Sequence, residues 1–161
     1  MSHLMQNYGR QPVSFASGAG VYLEDESGKR YLDGLCGLAV TGLGHAHPGV
    51  TQALAHQAGA LLHTSNLYQI PQQERLADRL CQQSGMDRVF FCNSGAEANE
   101  AAIKIARLWG NRQAHPKRSI VVMDGSFHGR TMATLTATGN RKVQAGFEPL
   151  LAGFVRAPFG D

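Results

Sequence analysis

The chain has 161 residues, 43% hydrophobic and 17% charged, long enough for one ordinary domain with its own core. Its 15 basic and 12 acidic side chains give a formal net charge of +3, with no basic run and no interleaved aromatics, which argues against a nucleic-acid groove. No segment approaches membrane-spanning length, and the first residues lack a basic region followed by an apolar run, so neither secretion nor membrane insertion is expected.

Residues 1 to about 20, with Pro12, Gly18 and Gly20, read as an irregular arm carrying Tyr8. Val21–Asp25 and Arg30–Asp33 flank Glu26-Ser27-Gly28-Lys29 and predict a β-hairpin, too small to stand alone. Gly34 to Gly49 is glycine-rich and holds Gly-His-Ala-His-Pro. His45 and His47 could suggest a metal, but no Cys, Asp or Glu close in sequence completes a ligand set, so a structural loop is favoured and no metal is expected. Pro48 suits the first turn of a helix with Val50, Ala53, Leu54, Ala58, Leu61 and Leu62 inward, ending at His63-Thr64-Ser65-Asn66. A second helix runs from Pro71 to Gly85 with Leu76, Ala77, Leu80 and Cys81 inward. Cys36, Cys81 and Cys92, far apart and in apolar settings, read as reduced core thiols of a cytoplasmic protein.

The stretch from Arg88 to Gly110 organises the rest. Val89–Phe91 is a short β-favouring run, followed without a linker by an Ala-rich segment with apolar residues at helical spacing. Ser94 as N-cap with Glu97 three residues on makes a capping-box pattern, and Gly110-Asn111 gives the stop. Because Ser94-Gly95-Ala96 carries only small side chains, free helix amides can approach an anion there, and the helix dipole favours one. The same pattern is equally that of a tight turn before a packing helix.

Ser119–Met123 is a continuous apolar run, as in a strand buried on both faces, and leads into Asp124-Gly125-Ser126-Phe127-His128-Gly129-Arg130-Thr131. A short helix over Thr131–Thr138, broken by Gly139-Asn140, and a strand over Phe154–Ala157 complete an alternation that predicts an α/β fold with a parallel sheet. Ligands of open α/β sheets sit beyond the carboxyl ends of the strands. Ser94–Ala96 and Phe127–Arg130 each follow a predicted strand, so an anion site, an aromatic ring, an imidazole and a guanidinium share one edge. Taken singly, Phe127 reads more readily as a loop anchor in the core and Arg130 as a surface or helix-capping charge, and only their coincidence with the small-residue turn brings the binding reading level with these.

Three blocks in order, Gly42–Pro48, Asn93–Lys104 and Ser126–Thr131, closely resemble the class III pyridoxal-phosphate aminotransferases, over nearly the whole chain from Tyr8 to Asp161. The resemblance implies the fold type I architecture of pyridoxal-phosphate-dependent transferases. Residues 1–45 would be the arm and hairpin of the small domain, and 46–161 the first part of the large parallel-sheet domain. It implies that Ser94, Gly95 and Ala96 hold the phosphate of pyridoxal 5'-phosphate, that Phe127 stacks on its ring beside His128, and that Arg130 grips the substrate carboxylate, a bidentate task unsuited to Lys. Tyr8 matches a tyrosine that reaches the same carboxylate in related ornithine enzymes, and Ser65-Asn66 falls in a loop near the dimer interface.

The likeness is greatest to members that move the side-chain amino group of N-acetylornithine to 2-oxoglutarate in arginine biosynthesis, acting as cytoplasmic homodimers with the active site at the interface. Ornithine, succinylornithine and 4-aminobutyrate are the competing donors. The family's Schiff-base lysine and its pyridine-nitrogen aspartate have no match among these residues. Lys29, Lys104, Lys117 and Lys142 lie in other contexts. The chain is therefore expected to be the N-terminal portion of a longer enzyme and inactive alone. A non-catalytic cofactor-binding fragment is the alternative of a different class.

Overall fold

A computed structural model of the chain describes residues 3–115 and 117–160. Met1, Ser2, Pro116 and Asp161, which include the ends of the expected arm and of the expected large-domain portion, lie outside the described residues. The chain divides into two compact units, one running to Ile70 and the other starting at Pro71.

The first unit holds an antiparallel sheet of three strands, β1 (Phe15–Ala19), β2 (Tyr22–Asp25) and β3 (Arg30–Leu32), in that order. The expected hairpin is β2 and β3, paired Tyr22↔Leu32, Leu23↔Tyr31 and Glu24↔Arg30. β1 corrects the expectation of an irregular arm. The strand bulges between Phe15 and Ser17, Gly18 pairs in register with Leu23, and the chain turns at Gly20, where φ is +57°. The β2–β3 turn is organised by Asp25, whose Oδ1 accepts from the Ser27 and Lys29 amides at 2.9 and 3.0 Å and from the Ser27 hydroxyl at 2.6 Å. Its Oδ2 accepts from the Tyr31 phenol at 2.9 Å. These donors, the Ser27 hydroxyl foremost, hold the Asp25 carboxyl at a pKa of about 2.

After β3 comes a single turn, α1 (Cys36–Ala39), in which Cys36, Gly37, Leu38 and Ala39 all have positive φ, from +51° to +63°. Left-handed backbone is costly for residues with a Cβ and persists only when held from outside. Asp33 does the holding. Its Oδ1 accepts from the Leu35 and Cys36 amides, both at 2.9 Å, while Oδ2 lies 2.6 Å from His45 Nε2. The His45 contact is the main reason the Asp33 carboxyl titrates below the ordinary range. His45 also exchanges backbone hydrogen bonds with Gly20, so the loop is closed at its neck. His47 caps the following helix, α2 (Pro48–Ala60), accepting from the Val50 amide at Nδ1. The two histidines therefore have separate structural roles, and among the described residues no three His, Cys, Asp or Glu side chains cluster as metal ligands.

In the second unit, α3 (Pro71–Ser84) is followed by an unpaired run, then by α4 (Gly95–Asn111). The expected strand at Val89–Phe91 does not form. Among the described residues it has no ladder partner, and Phe90 is exposed. β4 (Ile120–Met123) and β5 (Phe154–Ala157) are parallel, with Ile120↔Phe154 and Met123↔Ala157 in register. Between them lie α5 (Met132–Ala137) and the short α6 (Arg141–Gln144), which the sequence pattern did not suggest.

Burial is concentrated differently from the periodicity. α2 and α3 have no buried residue among those described, and of β4 only Val122 is buried. The buried centre is α5, with Ala133, Thr134, Leu135, Thr136 and Ala137 all enclosed. Its polar groups are satisfied, as burial demands. Gln144 Nε2 donates to the carbonyls of Leu135 and Thr138 at 3.0 and 2.8 Å, and Arg156 donates to those of Thr136 and Thr138 at 2.7 and 2.9 Å. The three cysteines are free, but Cys92 is exposed and the others are half-buried, so none is the core thiol expected. No described helix is long and apolar enough to cross a membrane.

Candidate functional site

The turn before α4 forms as its residue types dictate. Ser94 is extended, with φ −152° and ψ 159°, and its Oγ accepts from the Glu97 amide at 3.2 Å. The Glu97 carboxylate returns to the Ser94 hydroxyl at 2.9 Å and accepts from the Asn93 side chain, which holds its pKa below the usual range. The Ser94 hydroxyl is thus engaged within the helix terminus. What the turn offers an anion is the pair of first-turn amides, Gly95 and Ala96, which intrahelical bonding leaves without acceptors. Gly95 stands in open space, with nothing within 4 Å of where a Cβ would be. An oxyanion can reach the backbone there without displacing a side chain, so the turn fits a phosphate group.

The Ser126–Arg130 loop leaves the carboxyl end of β4 and is fixed on two sides. Towards α5, the His128 amide donates to Thr138 Oγ1 at 3.0 Å, and the Gly139 amide donates to the Ser126 carbonyl at 2.7 Å. Towards α4, Asn99 Nδ2 donates to the His128 carbonyl at 2.7 Å, and the Thr131 hydroxyl donates to Glu100. Gly129 sits between, buried, with φ +131°. A Cβ there would stand 2.9 Å from the Ala96 Cβ and 2.7 Å from Thr134 Oγ1, so only glycine lets the two segments approach this closely.

The structure therefore brings Ser94, Gly95 and Ala96 together with the Phe127–Arg130 loop. Phe127 is 68% exposed and Arg130 is exposed, while His128 is half-buried with Nδ1 3.4 Å from Ser126 Oγ. A large ring held out from a pinned backbone can stack on a flat ligand, and an exposed guanidinium can pair with a carboxylate. Tyr8 belongs to the first unit, where the Arg10 guanidinium lies 5.9 Å from its ring centroid. A cleft of about 260 Å³ between α4 and the β4–β5 sheet is lined by Asn99, His128 and apolar side chains, but by neither the turn nor Phe127. Sequence reasoning missed Asn99, Glu100, Thr131 and Thr138. The one legible signal was Asn99 itself, a poor helix former inside an Ala-rich helix.

An α/β unit with a parallel strand pair, a small-residue turn opening a long helix, and a loop bearing an aromatic, an imidazole and a guanidinium packed on that helix together make up the candidate site. Residues 4–161 match the family model described as Aminotransferase class-III, and the chain belongs to that family. It is 63% identical over its whole length to the acetylornithine aminotransferase of Nitrosomonas europaea, covering 41% of that protein. Among solved structures it matches the ornithine aminotransferase from Toxoplasma gondii with a TM-score of 0.93 at 30% identity, over 99% of this chain and 38% of that one. The N-acetylornithine aminotransferase from Stenotrophomonas maltophilia matches with a TM-score of 0.77 at 38% identity, over 96% of this chain and 37% of that one. The chain thus spans about two fifths of the length of these relatives.

Proposed function

We propose that the complete protein transfers the side-chain amino group of N-acetylornithine to 2-oxoglutarate, as a cytoplasmic homodimer in arginine biosynthesis, with pyridoxal 5'-phosphate as cofactor. The observation that supports this reading is the docking of the Phe127–Arg130 loop on the first turns of α4, where the His128 carbonyl bonds Asn99 and Gly129 packs on Ala96 of the small-residue turn. The names of the acetylornithine aminotransferases of Nitrosomonas europaea and Stenotrophomonas maltophilia support the donor. In this reading the Gly95 and Ala96 amides hold the cofactor phosphate, with Ser94 fixing the geometry of the turn. Phe127 stacks on the ring, with His128 beside it. Arg130 binds the carboxylate of both the amino donor and the oxo acid. Bound there, pyridoxal phosphate supplies the electron sink that amino-group transfer requires.

The structural likeness to an ornithine aminotransferase supports ornithine as the second reading of the donor. A panel of N-acetylornithine, ornithine, succinylornithine and 4-aminobutyrate on the full-length enzyme separates the readings. The proposal expects kcat/KM to be highest for N-acetylornithine. Preference for a free α-amino donor would replace it with the ornithine reading.

A further inference from the structure

Three residues on one face of α4, Ala96, Asn99 and Glu100, meet the loop at Gly129, His128 and Thr131. Their spacing of i, i+3 and i+4 is that of a single helical stripe. Ala96 sets how closely the chains approach, and Glu100 takes a hydroxyl beyond the loop. Asn99 alone takes hold of the backbone next to Phe127, through the His128 carbonyl at 2.7 Å. The other half of that residue's backbone, its amide, is held by Thr138 Oγ1 at 3.0 Å. The segment following Phe127 is thus clamped from both sides while the ring itself stays 68% exposed.

We infer that Asn99 is a positioning residue for the cofactor ring: by binding the His128 carbonyl it fixes the offset between Phe127 and the Gly95–Ala96 turn on the same helix. This rests on the reading of the turn as a phosphate site and of Phe127 as the stacking ring. A helix-borne amide suits the task, because the helix that presents the phosphate-binding amides also sets the position of the ring. Rise and rotation between Ala96 and Asn99 are fixed by helical geometry, so phosphate and ring contacts move as one body. Without the Asn99 donor the His128 carbonyl loses its partner on the α4 side. The loop then keeps only the Gly129–Ala96 packing and the Thr131–Glu100 bond on the α4 side, with no hydrogen bond to the backbone next to Phe127, so the ring can shift relative to the turn.

The test uses the full-length protein with the cofactor removed and compares Asn99→Ala and the near-isosteric Asn99→Asp with wild type. Pyridoxal phosphate affinity and induced circular dichroism report the ring, and inorganic phosphate affinity reports the turn alone. Both variants are expected to weaken pyridoxal phosphate about tenfold and to reduce its induced dichroism. Inorganic phosphate should bind within about twofold of wild type, because the helix amides are untouched. Equal weakening of both ligands, or no weakening of either, would overturn the inference. Phe127→Ala separates the positioning role of Asn99 from the site itself. If it weakens pyridoxal phosphate while the Asn99 variants do not, the positioning role fails and the site reading stands. Unchanged affinity in Phe127→Ala would overturn both.

Discussion

Single carboxylates and a single glycine carry much of the local order. Asp25 and Asp33 each gather several donors, and both titrate below the ordinary aspartate range, Asp25 at about 2. A depressed carboxylate contributes stability that is fully present above its unfolded pKa and is lost as pH falls through its folded one. The thermal midpoint of the full-length protein should therefore decline between about pH 4 and pH 2. Asp25→Asn and Asp33→Asn should each make the decline shallower, read by scanning calorimetry or circular dichroism. Gly129 is the other decisive residue, since its φ of +131° and its close approach to Ala96 and Thr134 both exclude a side chain. Gly129→Ala should cost about 2–4 kcal/mol from backbone strain and overpacking together. Urea unfolding measures this, and a cost below the error of that experiment would mean that the loop does not sit on α4 as described. The Asp33–His45 and Asn99–His128 contacts span 12 and 29 residues. Neither was legible from sequence, because nothing local marks a partner that far away.

Elements were legible where their signals are local. The Ser94 cap, the Pro48 start and the stop near Gly110 follow from residues within one turn of each boundary, and the structure places them there. The apolar runs Ile120–Met123 and Phe154–Ala157 pair as parallel strands, as their alternation with helices implied. Val89–Phe91 has the same composition but no ladder, because a strand is defined by its partner as well as by its own residues. Burial was misassigned for a related reason. Periodicity shows which side of α2 is apolar and not what covers it, whereas Thr134, Thr136 and Thr138 read as polar yet lie in the core. They are tolerated there because each hydroxyl donates to a backbone carbonyl, Thr134 to Thr131 at 3.2 Å, Thr136 to Met132 at 2.7 Å and Thr138 to Thr134 at 2.9 Å, while Gln144 and Arg156 serve the carbonyls at the end of α5. Gln144→Leu should leave the Leu135 carbonyl without that donor and cost about 1–3 kcal/mol. Ser94→Ala should cost about 1 kcal/mol through loss of the cap. Chemical denaturation of each variant against wild type checks both values.

At the scale of the whole molecule, large apolar side chains face solvent along several elements: Leu54 on α2, Leu76 on α3, and Ile105, Leu108 and Trp109 on α4. Exposed apolar surface on this scale marks faces that bind other protein. The 161 residues expressed alone should bind a hydrophobic dye such as ANS strongly and associate with increasing concentration, as light scattering would register. The full-length protein should do neither. In the proposed arrangement the Gly95–Ala96 turn and the Phe127–Arg130 loop make one site, with the cofactor held by the first and the substrate carboxylate by Arg130. Steady-state kinetics of full-length Arg130→Ala, run beside its pyridoxal phosphate affinity, test it most directly. KM should rise at least tenfold for both the amino donor and the oxo acid, as expected for loss of a charge-assisted contact, while cofactor affinity stays within about twofold. Unchanged KM values for both substrates would contradict the claim.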